Sequence, residues 1–115
     1  MSEPSGPPQV DATTARHLLD AGAVLLDVRE PDEWLAGHAP DALHIPLGQL
    51  GARFDELPRD AQIVAVCRVG ARSNQAAAAL RDAGLDVVNL AGGMQAWEQA
   101  GHDVVTDTGG TGRVA

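Results

Sequence analysis

Three short apolar runs punctuate the chain: Ala23-Val24-Leu25-Leu26-Asp27-Val28, Ile63-Val64-Ala65-Val66 and Leu85-Asp86-Val87-Val88-Asn89-Leu90. Continuous apolar runs of this length, rich in β-branched residues and bounded by turn formers, read as strands buried on both faces. Helical patterns lie between them. Asp11 is placed to cap a helix over Ala12–Asp20, with Gly22 past its end. The alanine-rich stretch Asn74–Arg81 reads as a second helix that stops at Gly84. Gly92-Gly93 reads as a tight turn into a third helix, whose Trp97 packs on the sheet. Such alternation predicts βαβ units, and hence an α/β domain with a parallel central sheet of four or five strands and helices on both faces. Smaller elements fill the middle of the chain. Pro31 suits the first turn of a short helix with Trp34 as its core anchor, and Leu43-His44-Ile45-Pro46 reads as a short strand. Leu47 to Phe54 reads as a short helix and Leu57-Pro58-Arg59-Asp60 as a turn.

Length and charge narrow the reading. A chain of 115 residues makes one domain. We expect residues 1–9 as a flexible arm, 10–105 as the domain and 106–115, glycine-rich, as a flexible tail. The net charge of −8 argues against nucleic acid and anionic membranes as partners. All eight basic residues are arginine, so cationic help at a site comes from arginine or from backbone dipoles. One cysteine makes no internal disulfide, and a reduced, cytoplasmic setting is the simple expectation. The stretch Met1–Pro8 lacks the basic and apolar regions of a secretory leader, and no apolar run is long enough to cross a membrane. His17, His38, His44 and His102 have no metal-ligand spacing, so no metal is expected. His38 reads as a structural imidazole tying turn backbone together. Gly92-Gly93 lacks the rest of a dinucleotide fingerprint, and no cofactor is expected.

The candidate chemistry sits where the central strand ends. Cys67-Arg68-Val69-Gly70-Ala71-Arg72-Ser73 joins Ile63–Val66 to the alanine-rich helix. In α/β folds that junction is where ligands bind. Unpaired N–H groups at a helix start, the helix dipole and a curled loop all attract negative charge. Gly70 lets the loop curl, Arg68 and Arg72 add charge, and no acidic residue lies between Asp60 and Asp82. Ser73 is placed to cap the helix. Together these favour a thiolate, the nucleophilic form of cysteine, over a buried inert thiol. In a parallel sheet Asp27 and Arg29 fall on the same edge as Cys67. With Glu33 they read as a hydrogen-bonded ion-pair set that braces the loops.

The loop resembles the C-R-x-G-x-R-S active loop of single-domain rhodaneses. Two further stretches resemble the same family in the same order. Asp27-Val28-Arg29 through Glu33-Trp34 to Gly37-His38-Ala39-Pro40-Asp41-Ala42 is similar to its D-V-R motif, with Ala39 and Asp41 departing from the usual Ile and Gly. Leu90 through Gly92-Gly93 and Trp97 to Gly101 is similar to its L-x-G-G-x-x-x-W-x-x-x-G signature. The resemblance spans about residues 10–105 and implies the rhodanese fold and sulfurtransferase activity. It implies Cys67 as the residue that becomes a persulfide, with residues Arg68, Val69, Gly70, Ala71, Arg72 and Ser73 cradling the substrate. The implied partners are a small sulfur donor such as thiosulfate, a cyanide or thiol acceptor, and a sulfur-relay protein. Some relatives that specialise in thiosulfate carry lysine two residues after the cysteine, where Val69 stands here.

Two other functions fit the same residues. A persulfide carrier or a regulatory binding domain also keeps its cysteine. A phosphatase or arsenate reductase would share the fold, but such enzymes use C-x5-R, one residue more than separates Cys67 from Arg72.

Overall fold

A computed structural model describes residues 6–115. The first five residues of the expected arm lie outside the described residues. Five parallel strands form one sheet in the order β1-β5-β4-β2-β3, where β1 is Gln9–Val10, β2 Val24–Asp27, β3 Leu43–His44, β4 Ile63–Val66 and β5 Val87–Leu90. The helices are α1 (Ala12–Asp20), α2 (Pro31–Ala36), α3 (Ala71–Asp82) and α4 (Gly93–Gln99). The architecture is therefore α/β, with the longer strands in the middle and two-residue strands at both edges.

The strand pattern explains two cores. Alternate side chains of a strand point to opposite faces. Leu26, Ile63, Ala65, Cys67 and Val87 share one face with Ala76, Ala77 and Leu80 of α3. Leu25, Val64, Val66, Val88 and Leu90 share the other with Ala12 and Ala15 of α1 and Met94 and Trp97 of α4. Trp97 is fully buried, and its ring N–H donates to the Asp103 carbonyl at 2.9 Å, so its one polar atom is satisfied. Local chemistry sets the helix starts. Asp11 caps α1 by accepting from the Thr14 N–H at 2.7 Å. Glu30 and Glu33 form a reciprocal capping box at the start of α2, with Pro31 in its first turn.

Several expectations need correction. Gln9, assigned to the arm, belongs to the sheet, where it pairs with Asn89 in register, and Pro8 is tied to it because the Asn89 N–H donates to the Pro8 carbonyl at 2.9 Å. The helix expected over Leu47 to Phe54 is two short 3-10 turns, Leu47–Gln49 and Phe54–Glu56. Gly48 and Gly51 interrupt that stretch, and glycine disfavours a helix interior. Trp34 is half-buried rather than a core anchor; it stacks between His38 (ring centroids 3.6 Å) and His44 (4.6 Å). The segment 106–115, expected as a tail, lies along the domain. Val105 bridges both His38 and Thr111, the Arg113 N–H donates to the Ala36 carbonyl at 3.0 Å, and Val114 packs on the α1–α4 core. Gly37 makes room for this return: a Cβ there would lie 2.5 Å from backbone atoms of Arg113. In the turn that departs from the family pattern, Asp41 takes φ 63°, a left-handed conformation that favours glycine and that Asp tolerates better than most residues.

Candidate active site

The carboxyl ends of β2, β4 and β5 meet at one edge of the sheet, and Cys67 stands at its centre, directly after β4. The chain then curls through Gly70, whose φ of 113° is a left-handed conformation that favours glycine. Helix α3 begins at Ala71, three residues earlier than the alanine-rich pattern suggests, with Gly70 as its N-cap. Ser73 therefore sits inside the first turn and does not cap the helix. Its hydroxyl lies 3.3 Å from Cys67 Sγ, 3.3 Å from the Gly70 carbonyl and 2.6 Å from Asn89 Oδ1. The Gly70 N–H donates to Cys67 Sγ at 3.1 Å.

The environment of the thiol contains opposed forces. Burial pushes the Cys67 thiol up, since it is 1% exposed. Hydrogen bonds from Ser73, Gly70 and Val69 outweigh burial, and the net displacement is downward, toward the thiolate.

The two loop arginines part company. Arg72 reaches back to Glu33 of α2 with two bonds, Nη1–Oε1 at 2.7 Å and Nη2–Oε2 at 2.9 Å. This bidentate pair holds the Glu33 carboxyl down at about 2. Arg68 is exposed beside Val69, which is 50% exposed, and its Nε donates to the Ala115 carbonyl at 2.7 Å. Ala71 is also exposed. Asp27 and Arg29 make a separate pair, both fully buried. Arg29 Nη2 donates to Asp27 Oδ2 and to the Gly37 carbonyl, each at 2.8 Å. Of the two carboxylates on this edge, Glu33 is thus the partner of Arg72, and Asp27 braces the turn that ends at Gly37.

Two features escape sequence reading. The first is Asn89 on β5, which touches Ser73 and the Gly70 carbonyl but stands in an apolar run. The second is why Gly93 is glycine. A Cβ there would lie 2.5 Å from the carbonyl oxygens of both Cys67 and Arg68. The Met94 and Gln95 N–H groups donate to those two carbonyls at 2.8 and 3.1 Å, so the start of α4 is a backbone clamp on the active loop. His38 is structural in its contacts, its ring meeting the Ala39 carbonyl and Asp107 Oδ1. Among the described residues no cluster of His, Cys, Asp and Glu has the form of a metal site, and no helix is long and apolar enough to cross a membrane.

Known proteins with this arrangement are numerous. A family model described as Rhodanese-like domain matches residues 11–100. A protein named sulfurtransferase from Allochromatium vinosum is 42% identical over 97 residues, covering 83% of this chain and 91% of its own. YrkF from Bacillus subtilis, whose name proposes a sulfur carrier, is 38% identical over 68% of this chain and 43% of its own length. A solved rhodanese-related protein from Thermoplasma volcanium superposes with a TM-score of 0.82 at 32% identity, over 87% of this chain and 99% of its own. With the family match, the parallel sheet and the loop after β4 in agreement, the chain belongs to the rhodanese-like domain family, among relatives named for sulfur transfer.

Proposed function

We propose that this protein is a sulfurtransferase that carries sulfane sulfur on Cys67, taking it from a donor such as thiosulfate and passing it to cyanide or a thiol. The observation that carries the reading is the setting of Cys67 Sγ. It accepts from the Gly70 N–H at 3.1 Å, beneath a loop whose one partly buried arginine is already spent on Glu33. The Cys67 thiolate attacks the outer sulfur of thiosulfate. The new S–S bond forms as the old one breaks, sulfite departs with the bonding pair, and Cys67 is left as a persulfide anion. Cyanide or a thiolate then takes the outer sulfur, and the Cys67 thiolate returns. Oriented N–H groups of residues 68–73 favour the anionic sulfur in both steps.

The commitment of Arg72 argues against phosphoryl chemistry. A guanidinium held by two bonds to Glu33 is not aimed at an oxyanion. Val69 stands where some thiosulfate-specialised relatives carry lysine, which leaves exposed Arg68 as the cation at the loop tip, so thiosulfate serves as a test donor and a persulfide-bearing molecule or a sulfur-relay protein is a further candidate for the natural one. A reducing, cytoplasmic compartment is part of the proposal, supported by a single cysteine that makes no internal disulfide. The charge of −8 makes nucleic acid and membrane surfaces poor partners. The deciding experiment is multiple-turnover kinetics with thiosulfate and cyanide. Sustained, ping-pong turnover supports the enzyme. A single stoichiometric transfer identifies a carrier, and Cys67-dependent hydrolysis of an aryl phosphate without sulfur transfer overturns the reading.

A further inference from the structure

Ser73 has one hydroxyl proton and three acceptors within reach: Asn89 Oδ1 at 2.6 Å, Cys67 Sγ at 3.3 Å and the Gly70 carbonyl at 3.3 Å. A hydroxyl donates only one hydrogen bond. The Asn89 carboxamide cannot turn to relieve the competition. Its Nδ2 donates to Gln9 Oε1 at 2.8 Å and to the Gly70 carbonyl at 3.3 Å. A carbonyl only accepts, so a flipped amide would set two oxygens face to face. Gln9 is fixed in turn, because its own Nε2 donates to the Pro7 carbonyl at 3.1 Å and to Asn74 Oδ1 at 2.6 Å. Asn89 therefore presents Oδ1 to Ser73, and only the Ser73 proton can join the two oxygens. Asn89 is 2% exposed, so losing that proton leaves a buried acceptor empty.

We propose that Asn89 is a positioning residue for the Cys67 nucleophile, holding the Ser73 proton while Cys67 Sγ is uncharged and yielding it when Sγ ionises. In the thiol state the chain runs from the Cys67 S–H to Ser73 Oγ, and from the Ser73 O–H to Asn89 Oδ1. On ionisation the thiol proton leaves to solvent. Ser73 then turns its proton onto Sγ, because a bond to a charged acceptor is the stronger. Once sulfur has been taken up, the charge sits on the outer sulfur and Sγ is a neutral divalent atom. The Ser73 proton then returns to Asn89. Asn89 thus opposes the bare thiolate and favours the sulfur-loaded state. This last step rests on Cys67 as the sulfur-transfer nucleophile; the first does not.

The charged groups about Cys67 are Arg68 and Arg72 of the loop and α3, Glu33 of α2 on Arg72, and the Asp27–Arg29 pair at the end of β2. From α4 the Met94 N–H meets the Cys67 carbonyl, and β5 presents the uncharged Asn89. No charged group is altered in the variants, and comparing Asn89→Ala with and without Ser73 separates the Ser73–Asn89 bond from the contacts of the Asn89 amide with Gln9 and the Gly70 carbonyl. The test is the pH profile of iodoacetamide alkylation of Cys67, which needs no sulfur donor. Asn89→Ala should lower the midpoint and speed alkylation below it by about two- to tenfold. Ser73→Ala should raise the midpoint, and adding Asn89→Ala to Ser73→Ala should move it no further. A midpoint raised by Asn89→Ala, or lowered equally with and without Ser73, overturns the proposal. Should Asn89→Ala not fold, the intact protein still decides. The Asn89 side-chain amide resonance should titrate with the Cys67 midpoint, and should cease to do so in Ser73→Ala. An Asn89 resonance indifferent to Cys67 ionisation is contrary. The expected alkylation pattern without any persulfide by mass would refute the sulfurtransferase reading alone.

Discussion

Arg68 and Arg72 are four residues apart on one loop, yet their surroundings assign them different work. Arg68 is exposed and, among the described residues, donates to the Ala115 carbonyl, a contact that an anionic donor would replace under the proposed function. Arg72 ties the loop to α2 through Glu33. We expect Arg68→Ala to raise KM for an anionic donor with little change in melting temperature, since it removes attraction present both before and during reaction. Arg72→Ala should lower kcat and melting temperature together, because a slack loop no longer aims its N–H groups. Steady-state kinetics and thermal melts on both variants check this, and exchanged effects would contradict it. The same pair gives a pH dependence. Glu33 falls to about 2 in the fold from an ordinary 4.5, a depressed carboxyl. Its stabilisation is therefore fully present above about 4.5 and lost as pH falls toward 2. Glu33→Gln should cost about 1 kcal/mol at neutral pH, a figure kept small because the pair is partly exposed. Denaturant melts from pH 6 to pH 2.5, taken as about these limits, should show the variants converging at the acid end. The curl of the loop after β4 was legible because its determinants are local: a strand end, a left-handed turn at Gly70 and a helix start lie within seven consecutive residues. The bonding of Ser73 was not, because its nearest partner, Asn89, is 16 positions away on another element, strand β5.

At the scale of elements, the site is a junction of three strand ends with the start of α4. The Gly-Gly turn was legible as a turn, but its purpose required knowing that α4 abuts the Cys67 and Arg68 carbonyls. Gly93→Ala places a Cβ 2.5 Å from both oxygens in a residue with φ 60°. The active loop or the helix must shift, which should cost about 1–3 kcal/mol. Because one of the two oxygens belongs to Cys67, the proposed nucleophile, kcat should fall as well. Equilibrium denaturation and turnover on the same sample measure both, and a variant as stable and active as the parent would show that the contact is slack. The long strands were legible as unbroken apolar runs. Strands β1 and β3 carry two residues each, too few for periodicity to mark their bounds.

At the scale of the molecule, strand β1 and the C-terminal segment both reach the surroundings of the loop after β4. Strand β1 supplies Gln9, which fixes Asn89, and the C-terminal segment supplies the carbonyl that holds Arg68. Composition gave no sign of this, since a glycine-rich segment reads as loose until Gly37 is seen to leave space for it. What unites these parts is one claim: Cys67 takes up and releases a single sulfur. Intact-mass analysis after incubation with thiosulfate, a low-molecular-weight persulfide or a desulfurase-loaded relay protein tests it without assuming an acceptor. The native protein should gain the mass of one sulfur atom, lose it on addition of cyanide or a thiol, and gain nothing as Cys67→Ser. A native protein that stays unmodified with every donor, or a Cys67→Ser variant that still takes up sulfur, would contradict the account.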